Sequence, residues 1–141
     1  MTEYVMGLYF DLARHYVWLL KKDRPAWQKG RLNGCGGKIE PGETGYATMR
    51  REAREELGID VEDWEPFCVL SGVDWTVTVY RAFGNLVPTQ RESEEVVQAR
   101  VDGVRMGGRG FIGNIPWLVS MALDEDAIEQ YTVSAVIDLP G

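Results

Sequence analysis

A glycine-rich turn that runs into a glutamate-rich segment is the feature that most constrains how this chain can fold. Three of the four residues from Gly34 to Gly37 are glycines, and Pro41-Gly42 marks a turn shortly afterwards. The following segment, Glu43 to Leu57, is rich in alanine, methionine, arginine and glutamate, which favour helix. Thr44 or Glu43 can cap its start, and Gly58 suits the position just past its end. The sequence therefore predicts a tight loop leading directly into a helix.

The predicted helix has two distinct faces. Apolar side chains recur four residues apart, at Met49, Ala53 and Leu57, and form one apolar stripe. Three glutamates at i, i+3 and i+4 share a face beside that stripe. These box glutamates are Glu52, Glu55 and Glu56. A solvated charged face is the ordinary explanation for such a segment, and neighbouring arginines could offset the repulsion between the glutamates.

The spacing of the surrounding residues favours a site over a merely charged face. Gly37 is followed after five residues by Glu43, and seven further residues separate Glu43 from the segment Arg51 to Ile59. Carboxylates on one helical face can hold divalent cations, which neutralise phosphate charge and lower the pKa of bound water. A neighbouring glutamate can accept the proton of that water. Arg51 can pair with Glu43 and fix the start of the helix. These are the groups that cleavage of a phosphoanhydride requires, since the phosphates must be positioned and neutralised and a water activated.

The segment from Gly37 to Ile59 resembles the Nudix box at every fixed position, with Ala53 and Ile59 at the two hydrophobic positions. The resemblance implies a Nudix fold, an α/β/α sandwich with a central mixed sheet, formed as a single domain over residues 1–141. It also implies Mg²⁺ as the cofactor, with Mn²⁺ as an alternative.

The resemblance assigns roles to individual residues. The implied metal ligands are the carbonyl of Gly37 and the carboxylates of Glu52, Glu55 and Glu56. The catalytic base differs among family members; Glu55 or Glu56 is the candidate here, and Glu52, Arg51 and Glu43 complete the catalytic set. A further acidic ligand often comes from a later loop. The candidates there are Glu92, Glu94 and Glu95, with a solvated loop as the alternative.

The glycine-rich stretch from Leu32 to Glu43 looks like that of MutT-type members, which hydrolyse purine nucleoside triphosphates, including oxidised ones such as 8-oxo-dGTP. By that similarity Asn33 reads the base, since an amide both donates and accepts; bonding within its own loop is the alternative. Lys38 is a candidate phosphate contact or a plain surface lysine. Trp27 and Trp117 are candidates for stacking on the base, against simple packing.

The remaining elements are mostly strands. Strands are predicted over Val5–Phe10, Tyr16–Leu20, Phe67–Leu70, Val73–Phe83, Val96–Val101 and Tyr131–Ile137, with a broken strand over Leu32–Glu40. A second helix is predicted over Ile115–Leu123, with Asn114 before it and Pro116 in its first turn. Many strands with two helices fit a mixed-sheet α/β domain.

Charge and composition limit the partners. A net charge of −7 argues against general nucleic-acid or anionic-membrane binding, but not against a small nucleotide bound through cations. Neither a signal peptide nor a long apolar span is visible. Cys35 and Cys68 form no metal motif, so free thiols in a reducing cytoplasm are expected. We therefore expect a cytoplasmic monomer or homodimer that binds a small-molecule nucleotide and neither nucleic acid nor membrane.

Three functions fit this sequence. The first is Mg²⁺-dependent cleavage of nucleoside triphosphates to a monophosphate and pyrophosphate, in sanitation of the nucleotide pool. The second is hydrolysis of ADP-ribose or another nucleoside diphosphate derivative, although Asp74 stands where ADP-ribose hydrolases tend to carry proline. The third is a non-catalytic nucleotide-sensing module, although such modules often lose box glutamates that this chain retains.

Overall fold

A mixed β-sheet forms the middle layer of the molecule. The structure, a computed structural model, describes residues 1–108 and 110–125, together with the backbone of 133–136. Within these residues the strands are β1 (Thr2–Phe10), β2 (Tyr16–Lys21), β3 (Leu32–Asn33), β4 (Cys35–Lys38), β5 (Glu65–Ser71), β6 (Trp75–Phe83), β7 (Glu95–Arg100) and β8 (Val133–Val136). The helices are α1 (Gly45–Leu57), α2 (Val101–Arg105) and α3 (Ile115–Ala122).

The strand order places the glycine-rich strand next to the centre of the sheet. The strands run β3-β2-β1-β6-β5-β8, while β4 also pairs with β1 and β7 with β2. β1 is parallel to β6 and β5 is parallel to β8, and the other pairs are antiparallel. One edge of β1 is shared by β2, through Phe10 and Val17, and by β4, through Val5 and Gly37. β4 is therefore held against β1 in the middle of the fold.

Each face of the sheet has its own hydrophobic core. Side chains of β1 alternate between them: Leu8 and Phe10 belong to one core, and Val5 and Tyr9 to the other. α1 covers the second face with its predicted apolar stripe, which is fully buried. The first face is covered by α2 and α3 through Val101, Val104, Ile115, Leu118, Val119 and Ala122. The α/β/α sandwich with a mixed sheet is thus confirmed.

The segment after β7 differs from the prediction. The strand predicted over Val96–Val101 ends at Arg100, and Val101 begins α2, a helix that the sequence pattern did not predict. α2 has five residues, which is too short for a helical period to be visible in the sequence. The last predicted strand, Tyr131–Ile137, coincides with β8, and its outer residues lie outside the described residues.

Two smaller predictions can also be compared with the structure. The broken strand over Leu32–Glu40 forms two short strands, β3 and β4, separated at Gly34. Cys35 and Cys68 are both free, as expected, and the structure shows that both are buried. Burial raises the pKa of the Cys68 thiol to about 11. None of the helices described is long and apolar enough to cross a membrane.

The ends of α1 follow from its capping residues. The side-chain oxygen of Thr44 accepts a 3.1 Å hydrogen bond from the Ala47 N–H, so Thr44, rather than Glu43, is the N-cap. Gly58 ends the helix with φ 67°, in the left-handed region that favours glycine. Its N–H donates to the Arg54 carbonyl at 3.1 Å. The helix that carries the box glutamates therefore has defined ends.

Gly58→Ala is expected to lower the free energy of unfolding by about 1–2 kcal/mol, because a side chain in left-handed backbone is strained by that amount. The new Cβ would also lie 2.9 Å from Thr89 Oγ1. Urea denaturation measures the effect, with Gly103→Ala as the control, since a Cβ at Gly103 meets nothing within 4 Å. A loss no larger than that of the control would contradict this role of Gly58.

Candidate active site

The box glutamates lie against the glycine-rich strand β4. Glu52 packs on Gly37 so closely that a Cβ at Gly37 would lie 2.6 Å from Glu52 Cδ. Glu56 Oε1 accepts a 2.7 Å hydrogen bond from the Gly36 N–H. Because Gly37 has no side chain, α1 can bring Glu52 against the backbone of β4, and Glu56 reaches the same strand through its hydrogen bond with Gly36.

Burial distinguishes these two carboxylates from the third. The Glu52 side chain is 14% exposed, whereas that of Glu55 is 46% exposed. Burial raises the pKa of Glu52, and it raises the pKa of Glu56 to about 8 against the lowering effect of the Gly36 N–H. Buried carboxylates need a compensating positive charge to remain ionised. This part of the site therefore favours a cation.

Arg51 holds the start of α1 and the box glutamates together. Its Nε and Nη2 donate to both carboxylate oxygens of Glu43, at 2.8 and 2.9 Å. Its Nη1 donates to Glu52 at 3.0 Å and to Glu55 at 3.2 Å. The hydrogen bond from Arg51 lowers the pKa of Glu43 to about 2. The predicted pairing of Arg51 with Glu43 is present.

The donor set fits a hard divalent cation. Among the described residues, no three acidic, histidine or cysteine side chains are already grouped as a metal site, and both Glu52 and Glu55 bond to Arg51 instead. The three carboxylates are nevertheless oxygen ligands of the kind that Mg²⁺ prefers, and the resemblance adds the carbonyl of Gly37. A bound cation would compete with Arg51 Nη1, while Nε and Nη2 could stay on Glu43. The residues present therefore suit the metal that the resemblance implies.

The loop of residues 84–94, between β6 and β7, contains two of the three later acidic candidates. Both carboxylate oxygens of Glu94 are engaged, by Lys22 Nζ at 3.0 Å and by the Asp23 N–H at 2.9 Å. Glu95 is exposed at the start of β7. The charge of Glu92 adds to the effect of burial in raising the pKa of both Glu52 and Glu56. Glu92 therefore acts electrostatically on two of the box glutamates.

A cavity of about 200 Å³ opens beside Gly36 and Gly37, on the α3 side of the sheet. Aromatic, aliphatic and amide side chains contribute to its wall. They include Tyr4, Met6, Lys22, Trp27, Gln28, Asn33, Leu70, Trp75, Ile112 and Asn114. Such a mixture of apolar surface and a few polar groups is typical of small-molecule sites.

Two of the four predicted substrate residues line this cavity, and the other two do not. Trp27 and Asn33 line it. Lys38 is exposed at the end of β4, and Trp117 is exposed on α3; neither is among the residues that line the cavity. Trp117 lies outside the buried positions of α3, which are spaced i, i+3, i+4 and i+7 from Ile115. The structure therefore brings one tryptophan and one amide to the site.

Asn33 is partly engaged by its own loop, as the alternative explanation proposed. Its Oδ1 accepts a 2.9 Å hydrogen bond from the Gly34 N–H, and its Nδ2 donates to Gln28 Oε1 at 3.2 Å. An amide offers two lone pairs and two hydrogens. One of each therefore remains for a ligand, and Gln28 adds a second amide at the same wall.

Two further polar or aromatic residues of the cavity, Trp75 and Asn114, are among those that the sequence did not identify as site residues. Trp75, at the start of β6, and Asn114, just before α3, both line it. Asn114 makes no capping hydrogen bond, and its Oδ1 is buried without a partner among the described residues. An unpartnered buried acceptor costs about 1–3 kcal/mol. Asparagine before a helix normally indicates a cap, so the sequence carried no sign of a second role.

Comparisons with known proteins agree with this geometry. The chain is similar to a MutT structure from work on Aliivibrio salmonicida and Vibrio cholerae, with 22% identity, a TM-score of 0.72, and coverage of 92% of this chain and 98% of that one. A MutT protein from Bacillus halodurans is 23% identical with a TM-score of 0.73, and the match covers 89% of this chain and 84% of that one. The NUDIX domain of Shewanella oneidensis NrtR, complexed with ADP ribose, is 15% identical with a TM-score of 0.72. That match covers 85% of this chain and 84% of the other. At these identities the similarity shows a shared fold.

Sequence comparisons define the family. A comparison with curated protein sequences finds no match. The model of the NUDIX domain matches residues 4–105, which include β4, α1 and the whole box. Since this match spans most of the chain, the protein belongs to the Nudix family of hydrolases, which act on pyrophosphate bonds.

Proposed function

We propose that this protein is a MutT-type enzyme that hydrolyses nucleoside triphosphates to a nucleoside monophosphate and pyrophosphate in the presence of Mg²⁺. The observation that carries the proposal is the continuity between the cavity and the box. Gly36 and Gly37 line the cavity and also contact Glu56 and Glu52. A nucleoside held in the cavity can therefore extend its phosphates over β4 toward α1.

The residues of the box have separate roles in this proposal. Mg²⁺, when bound, neutralises phosphate charge and lowers the pKa of water. Glu56 is the proposed general base, because it lies against β4 and accepts from the Gly36 N–H, whereas Glu55 is half-exposed and bonds to Arg51. Arg51 orients Glu52 and Glu55 while it remains anchored on Glu43. Water then attacks one phosphorus atom, the P–O bond that bridges the α- and β-phosphates breaks, and the nucleoside monophosphate and pyrophosphate are released.

The cavity wall supports a purine as the base. Trp27 and Trp75 offer flat aromatic surface, and the amides of Asn33 and Gln28 offer donors and acceptors. Asn114 Oδ1 needs a donor. An 8-oxopurine has an N–H at N7 where the normal purine has a lone pair, so it brings one more donor to the site. We therefore propose oxidised purine nucleotides as substrates and nucleotide-pool sanitation as the role.

Asn114→Ala is expected to raise KM for 8-oxo-dGTP about tenfold and to change kcat less than about twofold, because a hydrogen bond to a buried partner contributes roughly one factor of ten. Steady-state kinetics measure this change, and melting temperatures establish that the variant is folded. Asn114→Asp, which keeps a side-chain acceptor, is expected to lose less. Unchanged KM in the alanine variant would remove Asn114 from the base site.

A second substrate class is favoured by one further observation. The cavity adjoins another compartment of about 520 Å³, which shares Tyr4 and Trp75 and extends to Thr2 and Asp74. This space suits a ligand larger than one nucleoside, such as ADP-ribose or another nucleoside diphosphate derivative.

A substrate panel with Mg²⁺, resolved by chromatography, separates the candidates. Monophosphate and pyrophosphate from triphosphates support the proposal, whereas AMP and ribose 5-phosphate from ADP-ribose support the second class. Calorimetric binding of nucleotide without any product would instead indicate a non-catalytic sensing module.

A further inference from the structure

Two loops beside the cavity are joined through the carboxylate of Glu94. One oxygen accepts from Lys22 Nζ at 3.0 Å and the other from the Asp23 N–H at 2.9 Å. Ser93 Oγ also donates to Asp23 Oδ2 at 2.9 Å. The Glu94 side chain is only 13% exposed. The Glu94 carboxylate is thus shielded from solvent, and each of its oxygens accepts a hydrogen bond. For these reasons its contact with Lys22 and Asp23 is stronger than an ordinary surface ion pair.

The first of these loops, residues 22–31, forms a wall of the cavity. The Lys22 N–H donates to the Arg31 carbonyl at 2.9 Å and closes the loop at its stem. Pro25, Trp27 and Gln28 from this loop line the cavity, and Trp27 packs against the core on the α3 side. The position of Lys22, where the loop begins, therefore determines where Pro25, Trp27 and Gln28 lie.

The second loop, residues 84–94, is fastened to the box helix. The Thr89 N–H donates to the Leu57 carbonyl, the last residue of α1, at 2.9 Å. Five residues later, Glu94 reaches Lys22 and Asp23. A continuous chain of contacts thus runs from the end of α1, through this loop, to the wall of the cavity.

We propose that Glu94 is a positioning residue that fixes the nucleoside-binding wall relative to the box helix. The inference rests on the proposed function, since it assigns the wall to the nucleoside and the helix to the phosphates. With the wall held in place, a bound nucleoside does not have to order the loop of residues 22–31, and less binding free energy is lost. Glu94 touches neither substrate nor metal in this role, so its removal acts on binding and base preference rather than on bond cleavage.

Steady-state kinetics of Glu94→Ala and Glu94→Gln test this role. The alanine variant removes both acceptors, and we expect it to raise KM for the preferred triphosphate about tenfold, with kcat reduced less than about threefold. Its preference for purine over pyrimidine triphosphates is also expected to shrink. The glutamine variant keeps an oxygen for the Asp23 N–H, so its KM is expected to stay within about threefold of the wild type.

Glu62→Ala is the matched control, because it removes the same charge from a side chain that is 76% exposed and does not line the cavity. Its KM and base preference are expected to remain those of the wild type. A Glu94→Ala variant that loses kcat while KM and base preference stay unchanged would overturn the inference. If the alanine variant does not fold, Glu94→Gln is the test. A reduced kcat at normal KM in that variant would also overturn the inference, because a positioning residue acts on binding.

Failure of the proposed function can be distinguished from failure of this inference. If the wild-type protein hydrolyses no nucleoside triphosphate in Mg²⁺, the proposed function fails. The same variants are then compared by calorimetric titration with a purine nucleoside triphosphate. Weaker binding by Glu94→Ala than by the wild type would support the positioning role, and equal binding would overturn it.

Discussion

Glu56→Gln is expected to abolish hydrolysis, with kcat reduced about 1000-fold or more, as for removal of a general base. The glutamine cannot accept a proton and brings no negative charge to a cation. Glu56 is a partly buried box glutamate that bonds to β4 through the Gly36 N–H at 2.7 Å. Purified variant and wild type are compared with the same nucleotide at several Mg²⁺ concentrations.

The fold is expected to survive this substitution. The side-chain oxygen of glutamine can still accept from the Gly36 N–H, and the two side chains have the same size. Burial raises the pKa of Glu56 to about 8. As pH rises from the ordinary pKa of a glutamate toward that value, ionisation favours the unfolded chain, so the folded state loses stability. The neutral amide avoids that cost, so we expect an equal or higher melting temperature at neutral pH.

Glu55→Gln separates the two candidate bases. Glu55 is half-exposed and bonds to Arg51, so its substitution is expected to reduce kcat less than that of Glu56. Full turnover by Glu56→Gln together with an inactive Glu55→Gln would reverse the assignment. Glu62→Gln, on an exposed side chain, controls for the loss of one negative charge.

Gly37→Ala is the second substitution with a large expected effect, a fall in kcat of about 100-fold. The new Cβ would lie 2.6 Å from Glu52 Cδ, so the carboxylate has to move. A displacement of about 1 Å in a catalytic arrangement can cost two orders of magnitude in rate. Gly37 pairs with Val5 in the centre of the sheet, which leaves the backbone little freedom to adjust.

The matched control for this substitution is Gly103→Ala, where the added methyl group meets nothing within 4 Å. It is expected to leave kcat unchanged. Circular dichroism establishes that both variants retain their secondary structure. Wild-type activity in a folded Gly37→Ala variant would show that the position of Glu52 is not critical for the reaction.

The box was predictable because its determinants are local. Thr44 and Gly58 mark the ends of α1, and the helical period puts Glu52 and Glu56 on one face. The apolar stripe of α1 is buried as the period indicates. What the period does not contain is the contact of these glutamates with β4, which depends on the pairing of β4 with β1.

The cavity was only partly predictable, because the residues that line it are brought together by distant parts of the chain. Trp27, Trp75 and Asn114 come from a loop, a strand and a helix start. Trp75 reaches the cavity because β6 pairs in parallel with β1, an arrangement that a local pattern does not reveal. Trp117, the other predicted stacking residue, lies outside the buried stripe of α3 and is not among the residues that line the cavity.

The helix α2 was also not predictable from the local sequence pattern. The valines at 101 and 104 are three residues apart and both buried, which suits a helical turn as well as an irregular strand end. The alternating run before them extends the strand pattern to Val101. Packing against α3 decides in favour of the helix.

Product identification tests the central claim most directly. The wild-type protein is incubated with 8-oxo-dGTP and with dGTP, in Mg²⁺ and after chelation by EDTA, and the products are separated by anion-exchange chromatography. We predict the nucleoside monophosphate and pyrophosphate in Mg²⁺, with faster turnover of 8-oxo-dGTP, and no product after chelation. Release of nucleoside diphosphate and phosphate, or nucleotide binding without any product in Mg²⁺, would contradict the account.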